Sequence, residues 1–127
     1  MEIALRKAAS LKNHPDESAL GFGTIFTDYM FNMDYNLEKG WHNPRIEPYG
    51  PMEMDPSTIV LHYGQTIFEG LKAYRTQSGA VQLFRPMDNI RRLNQSGDKL
   101  CIPPVDEEFV LRALIELLKV EKDWVPS

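Results

Sequence analysis

Two short alternating runs, Leu71–Arg75 and Ala80–Phe84, flank Thr76-Gln77-Ser78-Gly79 and constrain this 127-residue chain more than any other stretch. Lys72 and Tyr74 alternate with Leu71 and Ala73, and Gln82 and Phe84 alternate with Val81 and Leu83. Each run can therefore offer one face to a core and one to solvent, and Gly79 is free to take a positive φ in the turn. The pattern predicts an antiparallel hairpin. Pro86 follows at once, and its fixed φ and missing N–H suit the first turn of a helix. That helix is predicted over about Met87–Lys99, with Ile90, Leu93 and Leu100 toward the core. Gly97 inside it costs about 1 kcal/mol relative to Ala, which predicts curvature or a close contact there. Pro103 and Pro104 end the segment.

A second helix is better signalled. Asp106 suits the N-cap, Glu107 and Glu108 favour the positive end of the macrodipole, and Lys119 and Lys122 lie near the other end. Val105 and Val110 are spaced as a hydrophobic staple. Leu111, Leu114, Ile115 and Leu118 recur at three and four, predicting one buried face. Upstream, GFGTIFTDYMFNMDYNL is dense in aromatic and β-branched residues and predicts strand from Gly23 or Thr24 onward. GWHNPRIEPYGPMEMDP holds four of the nine prolines, enough to predict a connecting loop with one short strand over Arg45–Pro48. Thr58–His62 predicts another short strand, and GQTIFEG either a helical turn or a loop. Residues 1–20 are mixed and polar and predict a loosely held arm before a domain over residues 21–127. The fold class is α+β, a mostly antiparallel sheet with two C-terminal helices.

Several function classes are excluded. The formal net charge is −4 with no basic stripe, so no nucleic-acid partner is expected. No stretch approaches the ~18–20 apolar residues of a membrane span. Glu2, Asp16 and Glu17 are wrong for a leader, and a soluble cytoplasmic protein is expected. Cys101 is the single cysteine, which fits a reducing compartment; between Leu100 and Ile102 it is expected to be a buried thiol. His14, His42 and His62 lie far apart and predict no metal site. GFG and GQTIFEG lack the strand-to-helix context of a dinucleotide fold. Glu69, between Phe68 and Gly70, reads as an ordinary, partly exposed acid.

Two groupings point to chemistry. Arg91 and Arg92 sit early on the predicted first helix, where a guanidinium can give two parallel hydrogen bonds to a phosphate. Arg91 reads as a surface ion pair, and Arg92, next to core Leu93, as either an ion pair or an anion ligand. Phe22, Tyr63 and Phe68 are candidate walls of an aromatic pocket, each otherwise an ordinary core aromatic.

Taken in order, FGTIFTDYMF, KGWHNPRIEPY, LHYGQTIFEGLKAYR, LFRPMDNIRRL and KDWVP resemble the N-terminal part of the branched-chain amino acid aminotransferases, pyridoxal-phosphate enzymes of fold type IV. The resemblance runs from about Gly21 to Pro126. It implies a small N-terminal domain of a two-domain enzyme, with pyridoxal 5′-phosphate bound between the domains. Arg92 matches the family's ligand for the cofactor phosphate, and Phe22, Tyr63 and Phe68 match its walls around the substrate side chain. The reaction implied is reversible transfer of the amino group from leucine, isoleucine or valine to 2-oxoglutarate, by a homodimer or larger assembly. The family's Schiff-base lysine belongs to a C-terminal motif that this chain does not contain. No catalytic residue is therefore expected here, and the 127 residues alone are expected to be inactive. D-Amino acid aminotransferases and aminodeoxychorismate lyases share the fold, although TDYM and KGW favour the branched-chain group. A non-catalytic module that binds phosphate or a partner chain is the reading from a different class.

Overall fold

The structure is a computed structural model describing residues 1–127. Its elements are β1 (Ala4–Leu5), β2 (Tyr29–Asn36), β3 (Gly40–Pro48), β4 (Ala73–Arg75), β5 (Val81–Leu83), α1 (Pro86–Lys99) and α2 (Glu107–Val120), with short 3₁₀ turns at Glu17–Ala19, Ile59–Leu61 and Lys122–Trp124. The α+β expectation holds. A three-stranded sheet has the order β1-β3-β2, antiparallel between β2 and β3 and parallel between β1 and β3, and β4 and β5 form a separate antiparallel pair.

The nine-residue strand β3 replaces the expected loop with a short strand at Arg45–Pro48. Pro44 lies in its interior and is buried, a position that would ordinarily break a central ladder. The register explains its tolerance. Asn32 faces Arg45 and Asp34 faces His42, so Met33 alone opposes both Asn43 and Pro44. This is a β-bulge, with Asn43 at φ 52°, and the unpaired position is where a residue without an N–H fits. β2 begins at Tyr29, later than expected, because its partner ends at Pro48. Beyond that pair the only continuation is the Tyr49 N–H donating to the Asp28 carbonyl at 2.8 Å.

Residues 1–20 are tied down more firmly than a loose arm. Arg6 N–H donates to Ile46 O at 2.9 Å, continuing β1, and Ala8 N–H reaches the Tyr29 hydroxyl. Lys12 N–H reaches the Asp28 carboxylate at 2.8 Å, and the Trp124 indole donates to its other oxygen at the same distance. Burial alone would raise the Asp28 carboxyl. These two bonds and the nearby charges of Lys12 and His14 outweigh it and hold the group below its usual range. The strand expected at Thr58–His62 is instead a 3₁₀ turn. Asp55 gathers the Ser57 N–H and hydroxyl and the Thr58 N–H and hydroxyl, which bends the chain before it can extend.

The hairpin, the Pro86 helix start and the Asp106 cap all appear where the sequence predicts them. β4 and β5 pair Ala73 with Leu83 and Arg75 with Val81, Gly79 takes φ 85°, and Asp106 accepts from Phe109 N–H at 2.7 Å. Gly97 makes the expected close contact: a Cβ there would stand 3.4 Å from Ile102 O and 3.5 Å from Ile67 Cδ1. Three side-chain expectations fail, the first at Leu100, which follows the last helical residue and is 40% exposed instead of turned to the core. On α2 the buried residues are Phe109 and Ala113, whereas Leu111, Ile115 and Leu118 line an open groove with Val81, Leu83 and Pro86. The helix is apolar on more than one face, and this chain covers only one. Cys101 is exposed at φ 55°: α1 ends at Lys99, two residues before it, and the left-handed residue after the cap swings the thiol outward.

The core is thin. Ile46, Ile90, Phe109, Ala113 and Val125 are its buried hydrophobic side chains. The accessible surface is 9548 Å² for 14.6 kDa, against about 6,900 Å² for an ordinary folded monomer of this mass. The surplus of about 2,600 Å² is several times one partner's share of a standard protein interface.

Glu121, just past α2, is 5% exposed; its Oε1 accepts the Tyr29 N–H, and its Oε2 has no partner. Burial raises its pKa, and the charge on Asp28 pushes the same way. The neutral form fits the fold, so stability from this group is full at low pH and is lost as pH rises through the raised value. Glu121→Gln is expected to raise the thermal midpoint more at about pH 8 than at about pH 4, read by circular dichroism; an equal effect at both would show that folding does not raise this carboxyl's pKa. Cys101 is expected to react stoichiometrically with a thiol reagent in the folded chain, and protection until denaturant is added would contradict its exposure.

Candidate anion site and aromatic surface

The loop from Gly64 to Gly70 lies against α1, and one carboxylate joins them. Arg92, seven residues into α1, gives its Nε–H to Glu69 Oε2 at 2.8 Å and an Nη2–H to Glu69 Oε1. Asn89, one turn earlier on the same helix face, gives Nδ2–H to Glu69 Oε1 at 3.0 Å and to Gly70 O at 2.8 Å. The Gly70 N–H also bonds Glu69 Oε1, at 3.0 Å. Glu69 is thus not the ordinary partly exposed acid the sequence suggests. Its side chain is 14% exposed, whereas that of Arg92 is 64% exposed. The bonds from Arg92, then Asn89, then Gly70 N–H outweigh desolvation and lower the Glu69 carboxyl to about 2. The same pairing raises the Arg92 guanidinium.

Geometry decides what Arg92 can still do. A guanidinium has five N–H donors in a planar fork. Glu69 occupies the Nε edge, while Nη1 makes no bond within the chain. Arg92 lines a groove of ≈ 610 Å³ together with Thr66, Phe68, Glu69, Ser96 and Lys99. Arg92, Ser96 and Lys99 recur at four and three along one face of α1, giving a guanidinium, a hydroxyl and an ammonium on one wall. That donor set fits an oxyanion such as a phosphate monoester. Arg91 points elsewhere, 3.6 Å from Asp88 and 3.5 Å from Glu107, as the surface ion pair the sequence suggests.

The three candidate aromatics are nearly bare: Phe22 is 99% exposed, Tyr63 90% and Phe68 93%. They do not pack as core residues within this chain. Phe68 shares the groove with Arg92, and Phe22 and Tyr63 do not line it. Gly21 and Gly23 take φ 65° and 69°, so the backbone folds sharply on both sides of Phe22 and presents the ring outward. A smaller hollow of ≈ 220 Å³ lies beside this loop, between Leu20, Gly23, His14 and Trp124. No group of histidine, cysteine and carboxylate side chains could hold a metal ion. Sequence reasoning missed Glu69, Asn89 and Lys99. The spacing of Asn89, Arg92, Ser96 and Lys99 along one helix face was readable, but the loop that meets that face was not.

No family model matches the chain. Curated proteins do. The chain is 59% identical over 125 residues to branched-chain-amino-acid transaminase 1 of Bacillus subtilis, covering 98% of this chain and 35% of that protein. It is 54% identical over 125 residues to branched-chain-amino-acid aminotransferase 2 of the same organism, covering 98% of the chain and 34% of the relative. It is 51% identical over 106 residues to the branched-chain-amino-acid aminotransferase of Mycolicibacterium smegmatis, covering 84% and 29%. The chain is a homologue of the N-terminal third of the branched-chain-amino-acid aminotransferases. It spans about a third of the length of the curated relatives it matches. The aminotransferase-like segment thus carries Glu69, Arg92 and three bare aromatics on a surface that is larger than its mass requires.

The ion pair has a consequence for acid stability. The Glu69 carboxyl is lowered by folding, so its contribution is present above the ordinary carboxylate range and is lost as pH falls toward about 2. Glu69→Gln is expected to lower the thermal midpoint at neutral pH, with the difference from the parent shrinking as the parent is acidified. A difference that stays constant down to about pH 2 would show that the carboxylate charge contributes nothing.

Proposed function

We propose that this chain forms part of a branched-chain amino acid aminotransferase that uses pyridoxal 5′-phosphate to move an amino group reversibly between leucine, isoleucine or valine and 2-oxoglutarate. The observation that carries this reading is the free outer edge of Arg92, in a groove that also holds a hydroxyl, an ammonium and the bare ring of Phe68. A phosphate monoester is what that donor set suits, and an aliphatic side chain is what exposed aromatic walls suit. The names of the relatives support the substrate class.

In this reading Arg92 holds the cofactor phosphate through two parallel hydrogen bonds from Nη1 and Nη2, with Ser96 and Lys99 available on the same wall. The cofactor, when bound, supplies the electron sink that amino-group transfer needs. Phe22, Tyr63 and Phe68 wall the substrate side chain once further protein covers them. Fully burying a leucine, isoleucine or valine side chain there contributes about 1.5–3 kcal/mol. A charged side chain would lose hydration with no partner among three rings, one of which carries only a phenol.

The roughly 2,600 Å² of surplus surface supports a small domain, residues 21–127 with the 1–20 segment tied to its sheet, that packs against a larger domain and against a second subunit. The reacting lysine belongs to that larger domain in this proposal, and the whole protein is a fold-type IV, cytoplasmic enzyme. No helix is long and apolar enough to cross a membrane.

The longer protein carrying this sequence is expected to convert leucine and 2-oxoglutarate to glutamate, and the 127-residue chain by itself to give none. Arg92→Ala in the longer protein is expected to weaken cofactor binding by about tenfold to a hundredfold, from loss of a charge-assisted, bidentate contact. Phe22→Ala, Tyr63→Ala and Phe68→Ala are each expected to lower kcat/KM for leucine with cofactor affinity retained. Turnover by the isolated chain, or full cofactor affinity in Arg92→Ala, would defeat the assignment.

A further inference from the structure

We infer that Glu69, held by Asn89, is a positioning residue that aims the guanidinium of Arg92 at the phosphate of the bound cofactor. The inference rests on the reading above that Arg92 is the phosphate ligand, and it concerns what makes that ligand effective.

An unsupported arginine on an exposed helix face samples many rotamers, and a bidentate contact must freeze them at the moment of binding. Here the freezing is done beforehand. Glu69 takes Nε–H and one Nη2–H of Arg92, which fixes the plane of the guanidinium and its rotation about the last side-chain bond. The carboxylate is itself fixed. Asn89 Nδ2 and Gly70 N–H both donate to Oε1, and the same Asn89 amide bonds Gly70 O, so the loop and the helix clamp it from two sides. Glu69 is mostly covered while Arg92 is mostly exposed, so the acid is the anchor and the base is the part offered outward. The edge left free, Nη1 with the second Nη2–H, is the one that can straddle two phosphate oxygens.

A simple surface ion pair would behave in the opposite way. A carboxylate within hydrogen-bond reach of the arginine competes with and repels a phosphate dianion, so removing its charge should tighten phosphate binding. A positioning role predicts that removing it weakens binding, because the fork is then no longer held. The sign of the change separates the two.

The test uses the 127-residue chain and the longer protein that carries it, each with pyridoxal 5′-phosphate and with inorganic phosphate as probes. Affinity is read by titration, and the Arg92 Nε–H resonance by ¹⁵N nuclear magnetic resonance. The parent is expected to bind both probes through Arg92 and to show a slowly exchanging Arg92 Nε–H. Glu69→Gln is expected to weaken both probes by about tenfold, the equivalent of one charge-assisted hydrogen bond, and to speed that exchange. Asn89→Ala, which leaves both charges in place, is expected to weaken binding by a smaller factor in the same direction. It also serves as the second variant should Glu69→Gln fail to fold, which circular dichroism reads. Unchanged or tighter binding in folded Glu69→Gln or folded Asn89→Ala, with the parent still binding through Arg92, would overturn the positioning role alone. Probe binding that Arg92→Ala leaves untouched would overturn the phosphate assignment and, with it, this inference.

Discussion

Carboxylates that collect hydrogen bonds from segments far apart in sequence are what this fold depends on, because its buried apolar core is small. Asp28 joins Lys12 of the N-terminal segment to Trp124 at the other end of the chain. Glu47 of β3 accepts from Asn32 of β2, from Arg45 beside it and from Arg6 beyond β1, tying the three strands on one face. Glu69 joins the glycine-bounded loop to α1. In each case hydrogen bonding to the charged form lowers the carboxyl, so folding favours ionisation. Glu121 is the exception. Its Oε2 has no hydrogen-bond partner, and burial raises its pKa.

The same shortage of burial has a functional side. Leu111, Ile115 and Leu118 of α2 lie open beside the β4–β5 hairpin, and Phe22, Tyr63 and Phe68 are almost uncovered. Large apolar side chains left open in this way mark an interface or a ligand wall. The polar ties hold the backbone in place while leaving those surfaces free, so the rings and the outer edge of Arg92 are presented by a scaffold that does not need them for its own core.

Much of the architecture was legible where the cause is local. The hairpin follows from alternation around Thr76–Gly79, the start of α1 from Pro86, and the start of α2 from Asp106, each decided within about four residues. The failures share a cause at longer range. β3 was hidden by its prolines, and it exists because β2 supplies a partner and a bulge absorbs Pro44. The periodicity of α2 supports more than one apolar stripe, and only packing selects Phe109 and Ala113 for burial. The apolar neighbours of Cys101 predict a buried thiol, yet the left-handed turn after α1 sends it out.

The sequence alone determined the elements whose signals are short, the α+β class and the family resemblance carried by ordered motifs spread from Gly21 to Pro126. It also singled out Arg92 as competent for an anion, since that depends only on residue type and helix position. Tertiary structure alone decided what Arg92 is bound to. Glu69 and Arg92 are 23 residues apart, and nothing in their spacing says that they meet. Once the loop folds against the helix, an acid that looked unremarkable becomes the anchor of the guanidinium, because hydrogen-bond geometry acts through space and not along the chain.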